Sequence, residues 1–287
     1  MQKIESNRIV VMDFTGIYDR EQFYHGQDAA WVEVREIPGT NCYCDAEAAD
    51  ILRARIAEFP ARGIHFIDSG NYHYMSRIWL EKIEEPFRLL VFDNHTDMQP
   101  PAFGGLLSCG GWIAAAMEEL DNLREVVLVG PDEEAYSQAA TALKTEDESA
   151  SVAEKVLKHR TIRKKRVCFL SREALAAESR EELEEFFEGL GTELPLYISL
   201  DKDVLCRSHA HTAWSQGDMT LEELTGYLHI VAQKLMRDGG TLLGVDICGE
   251  CDPQESGSWA VNDKANRVLL EFFSDIYARC DADGGKE

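Results

Sequence analysis

Short, almost uninterrupted apolar runs recur along the chain between longer amphipathic stretches. The runs at 8–14, 64–68, 88–93, 125–130, 166–170, 196–201 and 241–246 are rich in Val, Ile, Leu and Phe and lack clean polar alternation, the pattern of strands covered on both faces. Between them, 45–59, 74–83, 106–120, 171–190 and 221–237 carry helical spacing, and a last helix is predicted over 263–278. A strand-then-helix rhythm predicts right-handed crossovers and a mainly parallel sheet in an α/β protein. In such sheets ligands bind outside the carboxyl ends of the strands. The segment 145–165 departs from the rhythm, passing from acidic Glu146-Asp147-Glu148 to basic Arg163-Lys164-Lys165-Arg166, and is expected to be a solvated helix or loop laced with salt bridges.

Composition narrows the partners. The 287 residues are 45% hydrophobic and 28% charged, ordinary for a soluble globular protein with a sizeable core. Lys and Arg number 29 against 52 acidic residues, a formal charge of -23, which argues against nucleic acid or an anionic membrane as partner because both need a basic face. A small cationic or polar substrate is compatible with that balance. The opening Met1-Gln2-Lys3-Ile4-Glu5-Ser6 lacks the apolar run of a signal peptide, and no segment approaches the ~20 apolar residues of a membrane span, so a cytoplasmic location is expected. The eight cysteines are then expected to be thiols. Cys248-Gly249-Glu250-Cys251 has CxxC spacing but not the context of a redox loop that opens a helix, so a structural role is expected.

Two strand ends carry the chemistry. The run 88–93 continues into Asp93-Asn94-His95-Thr96-Asp97, and the run 196–201 into Asp201-Lys202-Asp203. In an extended segment residues i, i+2 and i+4 point to one side, so Asp93, His95 and Asp97 are expected to converge, as are Asp201 and Asp203. His73, in Gly70-Asn71-Tyr72-His73, completes a set of six. Carboxylate and imidazole without thiolate suit Mn(II) or a similar hard divalent ion better than structural zinc. So many acids and imidazoles at a strand end would repel or stay unpaired without a cation among them. Because the proposed ligands lie on both sides of 145–165, one domain over 1–287 is expected. His209 and His211 follow the second motif in a predicted loop, where either could line an entrance, while His25, His65, His159 and His229 are read as structural or exposed.

These residues resemble the ureohydrolases, the family of arginase, agmatinase and relatives. That family carries in order a Gly-Gly-Asp-His segment, an Asp-Ala-His-x-Asp segment, a Ser-x-Asp-x-Asp segment and an Asp-Ile-x-Glu-like segment. This chain has Gly70-Asn71-Tyr72-His73, Asp93-Asn94-His95-Thr96-Asp97, Ser199-Leu200-Asp201-Lys202-Asp203 and Val245-Asp246-Ile247-Cys248-Gly249-Glu250. The resemblance implies a three-layer α/β/α sandwich with a mostly parallel, eight-stranded sheet, two Mn(II) ions per chain and a homo-oligomer. It also implies that Asp93 and Asp201 bridge the ions, that His73 and Asp97 serve one, and that His95 and Asp203 serve the other. Two divalent ions sharing a water lower its pKa and hold it for attack on an electrophilic carbon, with Asp97 orienting it; the expected reaction is hydrolysis of a C–N bond in a small guanidino, amidino or amide compound.

Departures from the pattern limit the substrate. Where the family places a proton-shuttling histidine in a Ser-His-Gly segment, this chain has Ser108-Cys109-Gly110, with Cys109 as catalytic candidate or as a small core residue. The arginine-reading Asn and Ser positions have no counterpart in Met98-Gln99-Pro100-Pro101, so arginase itself is disfavoured. The family's guanidinium-facing acid stands three positions after the Asp of the last motif. Here Gly249 is at that spacing and Glu250 one further, where a bulge would be needed to deliver it to the substrate. Asp246 is expected close to the substrate or holding a ligand in orientation, and Trp112, Trp214, Tyr72 and Tyr74 either shape the pocket or pack. The alternatives are a one-metal amide deacetylase of related architecture, whose paired His-His is absent, and a catalytically idle metal-binding protein.

Overall fold

The structure is a computed structural model that describes every residue except 1–7, 101–104, 144, 149–157, 163, 256 and 285–287. Its strands are β1 (Arg8–Asp13), β2 (Ala29–Glu33), β3 (Tyr43–Cys44), β4 (Gly63–Phe66), β5 (Phe87–Phe92), β6 (Leu107–Ser108), β7 (Leu123–Val129), β8 (Thr145–Glu148), β9 (Lys158–Ile162), β10 (Lys165–Leu170), β11 (Leu196–Asp201) and β12 (Leu242–Cys248). The helices are α1 (Ala46–Arg55), α2 (Met75–Leu80), α3 (Trp112–Glu119), α4 (Glu133–Ala142), α5 (Arg172–Ala177), α6 (Arg180–Gly189), α7 (Leu221–Asp238) and α8 (Trp259–Gly284).

Among the described residues the main sheet has ten strands in the order β2-β1-β4-β12-β11-β5-β7-β10-β9-β8. Every pairing from β2 through β10 is parallel, and the antiparallel pairings are β10–β9 and β9–β8, so eight parallel strands carry a two-stranded extension. Alternate residues of one strand enter different cores. Leu89 and Val91 of β5 join the layer built with α1 to α4, while Leu90 and Phe92 join the layer built with α6, α7 and α8. Burial on both faces is why these strands read as continuous apolar runs, and it makes the fold the expected three-layer α/β/α sandwich.

β11 lies between β12 and β5, with Ser199 opposite Asp246 on one side and Val91 on the other. The carboxyl ends of β4, β5, β11 and β12 therefore open onto one crevice, which positions all four motifs.

Several expected elements come out differently. The region 106–120 is not one helix. It pairs through β6 with β3, makes a 3-10 turn at Cys109–Gly111 and only then enters α3. The region 171–190 is split by Ser179, whose capping box with Glu182 starts α6 afresh. In place of a solvated helix or loop, the described parts of 145–165 form β8 and β9 against β10; residues 149–157 and 163 lie outside the described residues. The strand β2 is hard to see in sequence because it is a half-exposed edge with one buried residue, Val32. The expectation about the N-terminal segment falls on residues 1–7, outside the described residues. Among the described residues no helix is long and apolar enough to cross a membrane.

Candidate metal centre

The six expected ligands come together, but through turns as much as through strand alternation. β5 ends at Phe92, and Asp93 to Asp97 curl back over its end, with Asp97 in the left-handed region at φ 46°. Asp201 closes β11, and Asp203 sits in the following 3-10 turn, whose backbone N–H donates to Asp201 Oδ1 at 2.9 Å. His73 arrives from the turn after β4. A left-handed backbone at a non-glycine residue costs of order 1–3 kcal/mol and is tolerated where the surroundings fix it. At Asp97 the fixing group is Trp112, whose Nε1–H donates to Asp97 Oδ2 at 2.6 Å from the start of α3.

His73 Nδ1 lies 3.0 Å from Asp97 Oδ2, 3.3 Å from Asp93 Oδ2 and 3.5 Å from Asp201 Oδ2. His95 Nδ1 lies 2.8 Å from Asp203 Oδ2 and 3.5 Å from Asp93 Oδ1. Three groups of potential ligand atoms fall within 4.8 Å of one another: His73 with Asp93 and Asp97, Asp93 with His95 and Asp203, and His73 with Asp201 and Cys248. Asp93 belongs to two of them, one through each imidazole.

Behind the ligands stands a row of polar supports. Ser199 Oγ meets His73 Nε2 at 3.0 Å and donates to Asp246 Oδ1 at 2.6 Å, which fixes the imidazole and leaves its Nδ1 toward the carboxylates. The Asn94 N–H donates to Asp203 Oδ1 at 2.9 Å, and His95 Nε2 meets Ser215 Oγ at 2.9 Å.

Electrostatics show what the cluster requires. Burial, then the charges of Asp203 and Asp93, push the Asp201 carboxyl up to about 7; burial, then Asp93, push Asp203 up to about 6. Burial opposes a charge on His95, but its hydrogen bonds to Asp203 and Asp93 prevail and raise it to about 11. At His73 burial is likewise outweighed, by Cys248, Asp93 and Asp97, and the imidazole is held well above its ordinary value. Asp93 Oδ2 is buried and makes no hydrogen bond among the described residues. Protons drawn into the cluster and a carboxylate oxygen left unsatisfied both mark a missing positive charge, and the carboxylate–imidazole donor set fits divalent manganese.

The six residues line a cavity of about 550 Å³ with Cys109, Gln99 and Trp214. Trp214 is 41% exposed and is tethered by its Nε1–H to Asn71 Oδ1 at 2.8 Å, whereas Trp112 is buried. Cys109 is in the wall; burial, then the Asp97 charge, push its thiol up to about 12. Tyr72 stacks on Phe14 with ring centroids 4.0 Å apart and the Tyr74 hydroxyl donates to Thr40 O, so both tyrosines serve packing.

Three expected substrate contacts are not in the cavity wall. Gly249 has φ 93°, and a Cβ there would lie 2.4 Å from Asp201 Oδ1, so the position of the family's acid is pressed against a ligand with no room for a side chain. The chain turns at Gly249 and sends Glu250 into the interior, fully buried and ion-paired with Lys202. Asp246 is joined through Ser199 to His73 and is not in the cavity wall, the place expected of a residue that holds a ligand candidate in orientation. His211 is held away by Asn262, which accepts its N–H at 2.7 Å and donates to its carbonyl. His209 lies 3.4 Å from Glu222, outside the cavity wall. The CxxC cysteines are both thiols and belong to different cores, Cys248 to one layer and Cys251 to the other, consistent with the structural reading. Ser199 stood in the third motif and Trp112 was weighed for pocket or packing, but the supports they give His73 and Asp97 were not announced by the sequence, nor was Asp68. Asp68 accepts N–H groups of Phe14, Thr15 and Ser69, tying the loop after β1 to the turn that carries His73.

Comparison with known proteins agrees with this geometry. The chain is 30% identical over 277 residues to an uncharacterized protein of Thermotoga maritima, covering 94% of this chain and 91% of that one. Among solved structures it is similar to proclavaminate amidino hydrolase from Streptomyces clavuligerus (TM-score 0.67, 14% identity, 97% and 94% of the two chains covered). It is also similar to arginase from Medicago truncatula (TM-score 0.65, 15% identity, 94% and 87%) and to formimidoylglutamase from Bacillus subtilis (TM-score 0.64, 10% identity, 96% and 89%). At these identities the structures speak for the fold, while residues 63–272, which hold all six ligand candidates, match the Arginase family directly, and the chain belongs to that family.

Proposed function

We propose that this protein is a manganese-dependent hydrolase that breaks a C–N bond in a small guanidino, amidino or amide compound. The observation that carries the reading is the pair of ligand groups sharing Asp93, His73–Asp93–Asp97 and Asp93–His95–Asp203, at the floor of a cavity of small-molecule size. Two divalent ions held there would acidify a shared water and polarise the carbon it attacks. His73, kept in orientation by Ser199 and Asp246, and Asp97, kept by Trp112, would serve one ion; His95 and Asp203, the latter kept by Asn94, would serve the other.

Asp97, which lines the cavity and is held in orientation by Trp112, would take a proton from the attacking water and pass it to the leaving nitrogen. The amidino hydrolase and arginase among the similar structures support this reaction class. Cys109 favours a second reading, ligand binding without turnover, because a thiol raised to about 12 keeps its proton near neutrality and is a poor shuttle.

Elemental analysis of protein loaded with Mn(II) and freed of loose metal is expected to give about two ions per chain. A screen for ammonia or urea release from guanidino, amidino and amide compounds, with Asp201→Ala as control, then separates hydrolase from idle binder. If turnover is absent from the wild type and from Cys109→His alike, the hydrolase reading fails.

A further inference from the structure

The cavity contains a cationic side chain that the metal site does not use. Arg172, the first residue of α5, lines the wall beside Asn94 and is the sole Lys or Arg among the described residues that do so. In a chain with 52 acidic residues against 29 basic ones, it forms no ion pair with any described residue. Among the described residues its side chain makes one hydrogen bond, from Nη1 to Asn94 Oδ1 at 3.3 Å.

That contact ties the guanidinium to the metal cluster. Asn94 donates its backbone N–H to Asp203 and its side-chain amide to Ser215 O at 2.9 Å, so one short residue spans from a ligand carboxylate to the cavity wall and leans on Arg172. The backbone of Arg172 is fixed as well, its N–H donating to Pro131 O at 3.0 Å. The cation is thus mounted on a supported element beside the metal cluster, with donor positions left for a ligand.

The acids of the cavity are already committed. Asp93, Asp97, Asp201 and Asp203 belong to the ligand groups, and Asp132 caps α4, accepting the Ala135 N–H at 2.7 Å. Glu250 is turned inside against Lys202. Four carboxylates would balance two divalent ions, which leaves Asp132, held at the start of α4, and Arg172 as the remaining charged side chains of the wall, with Arg172 the cation among them.

We infer that Arg172 is a specificity-determining residue that binds a carboxylate on the substrate, so that the hydrolysed compound carries its C–N head group toward the metal cluster and an anionic tail toward α5. This rests on the hydrolase reading for the head group, while the anion site stands on Arg172 itself. Bidentate Arg–carboxylate pairing supplies both the attraction and the orientation, holding the reacting carbon against the cluster. The expectation of a cationic substrate from overall charge is thereby reversed locally, because surface charge and cavity charge are set by different residues.

The test uses the Mn(II)-loaded protein and probes that share a short alkyl chain and differ only at its end: guanidinobutyrate, butylguanidine and agmatine, with glutaramate and butyramide as the amide pair. Isothermal titration gives binding, and ammonia and urea release give turnover. The carboxylate-ended probes are expected to bind about tenfold or more tightly than their neutral counterparts, the size of one charged hydrogen bond, and agmatine the most weakly of the guanidino set. Arg172→Ala should abolish the preference with metal content unchanged, and Arg172→Lys should restore part of it. A carboxylate preference without turnover supports the anion site while the hydrolase reading falls. Turnover with no tail preference, or with agmatine preferred, leaves the hydrolase reading standing and overturns this one. A preference that survives Arg172→Ala, or binding of none of the probes, also overturns it.

Discussion

Lys202 and Glu250 form an ion pair with no solvent exposure directly behind Asp201 and Asp203. Lys202 stands between the two carboxylates in sequence, yet its side chain leaves the opposite side of the turn and enters the layer under α8. There Asn262 and Asn266, one turn apart on α8, each donate to Glu250, and Asn266 also accepts from the lysine. Glu21 completes the group; burial, then the Glu250 charge, raise its carboxyl to about 10, so it is neutral near pH 7 and leaves the pair balanced.

Removing one partner strands the other in the interior. Lys202→Met or Glu250→Gln is therefore expected to lower stability by about 3–5 kcal/mol, with the double variant Lys202→Met/Glu250→Leu losing less than the sum of the two. Urea unfolding of metal-stripped protein reads this directly. A single-variant loss below about 1 kcal/mol would mean that the pair does not anchor the turn.

Stripped of metal, the protein should become less stable as pH rises. Burial is the first cause that lifts Asp68, Asp201, Asp203 and Asp246 to about 6 or 7. An aspartate in the unfolded chain titrates near ~3.9, so between about pH 4 and 7 the folded state holds more protons and stability falls with increasing pH. His95 extends the trend, since a contribution complete below its unfolded value of ~6.5 is lost as pH climbs toward the folded value of about 11. Denaturant midpoints of chelator-treated protein at about pH 5, 6, 7 and 8 should decline in that order. Added Mn(II) should reverse the decline, because ligands release protons on binding metal. A midpoint that rises with pH in the metal-free protein would contradict the assignment.

Asp93 should be needed for both ions and His95 for one. Asp93 contributes to two ligand groups through separate oxygens, whereas His95 contributes to a single group. Asp93→Ala is expected to drop metal content from about two ions per chain toward none, and His95→Ala toward about one. Full metal content in Asp93→Ala would remove the shared-ligand geometry.

Ser199 should matter to metal affinity although it does not line the cavity. Its hydroxyl joins His73 to Asp246, and loss of such outer support costs roughly 10–100-fold in metal affinity. Ser199→Ala should show that decrease in a Mn(II) titration, with unfolding of the metal-free protein little changed. An unaltered affinity would show that packing against Trp112 alone holds the imidazole.

The layered fold and the clustering of the ligand candidates were legible in the sequence because both follow from local rules. Strands covered on both faces must be apolar throughout, and ligands at strand ends must cluster by residue type, so the runs at 88–93 and 196–201 announced both the sheet and the chemistry. Edge elements escaped: β2 is half exposed, and the sequences of β8 and β9 are dominated by charged and polar residues, so neither shows a core-facing period.

Spacing at two strand ends pointed Asp93, His95 and Asp97, and Asp201 and Asp203, toward one crevice, with His73 joined to them by the order of the motifs, but it could not say which way the chain turns past a strand end. That direction was decided by tertiary contacts. Gly249 must lie flat against Asp201, so Glu250 is turned inward to Lys202 and Asn262, and His211 is pinned by the same asparagine. Arg172 gave no signal in sequence because it is one arginine among many and starts a short helix far from every motif. Only the parallel order of β5, β7 and β10 brings α5 to the cavity lined by the ligand candidates, since a charge acts through distance in space and not along the chain.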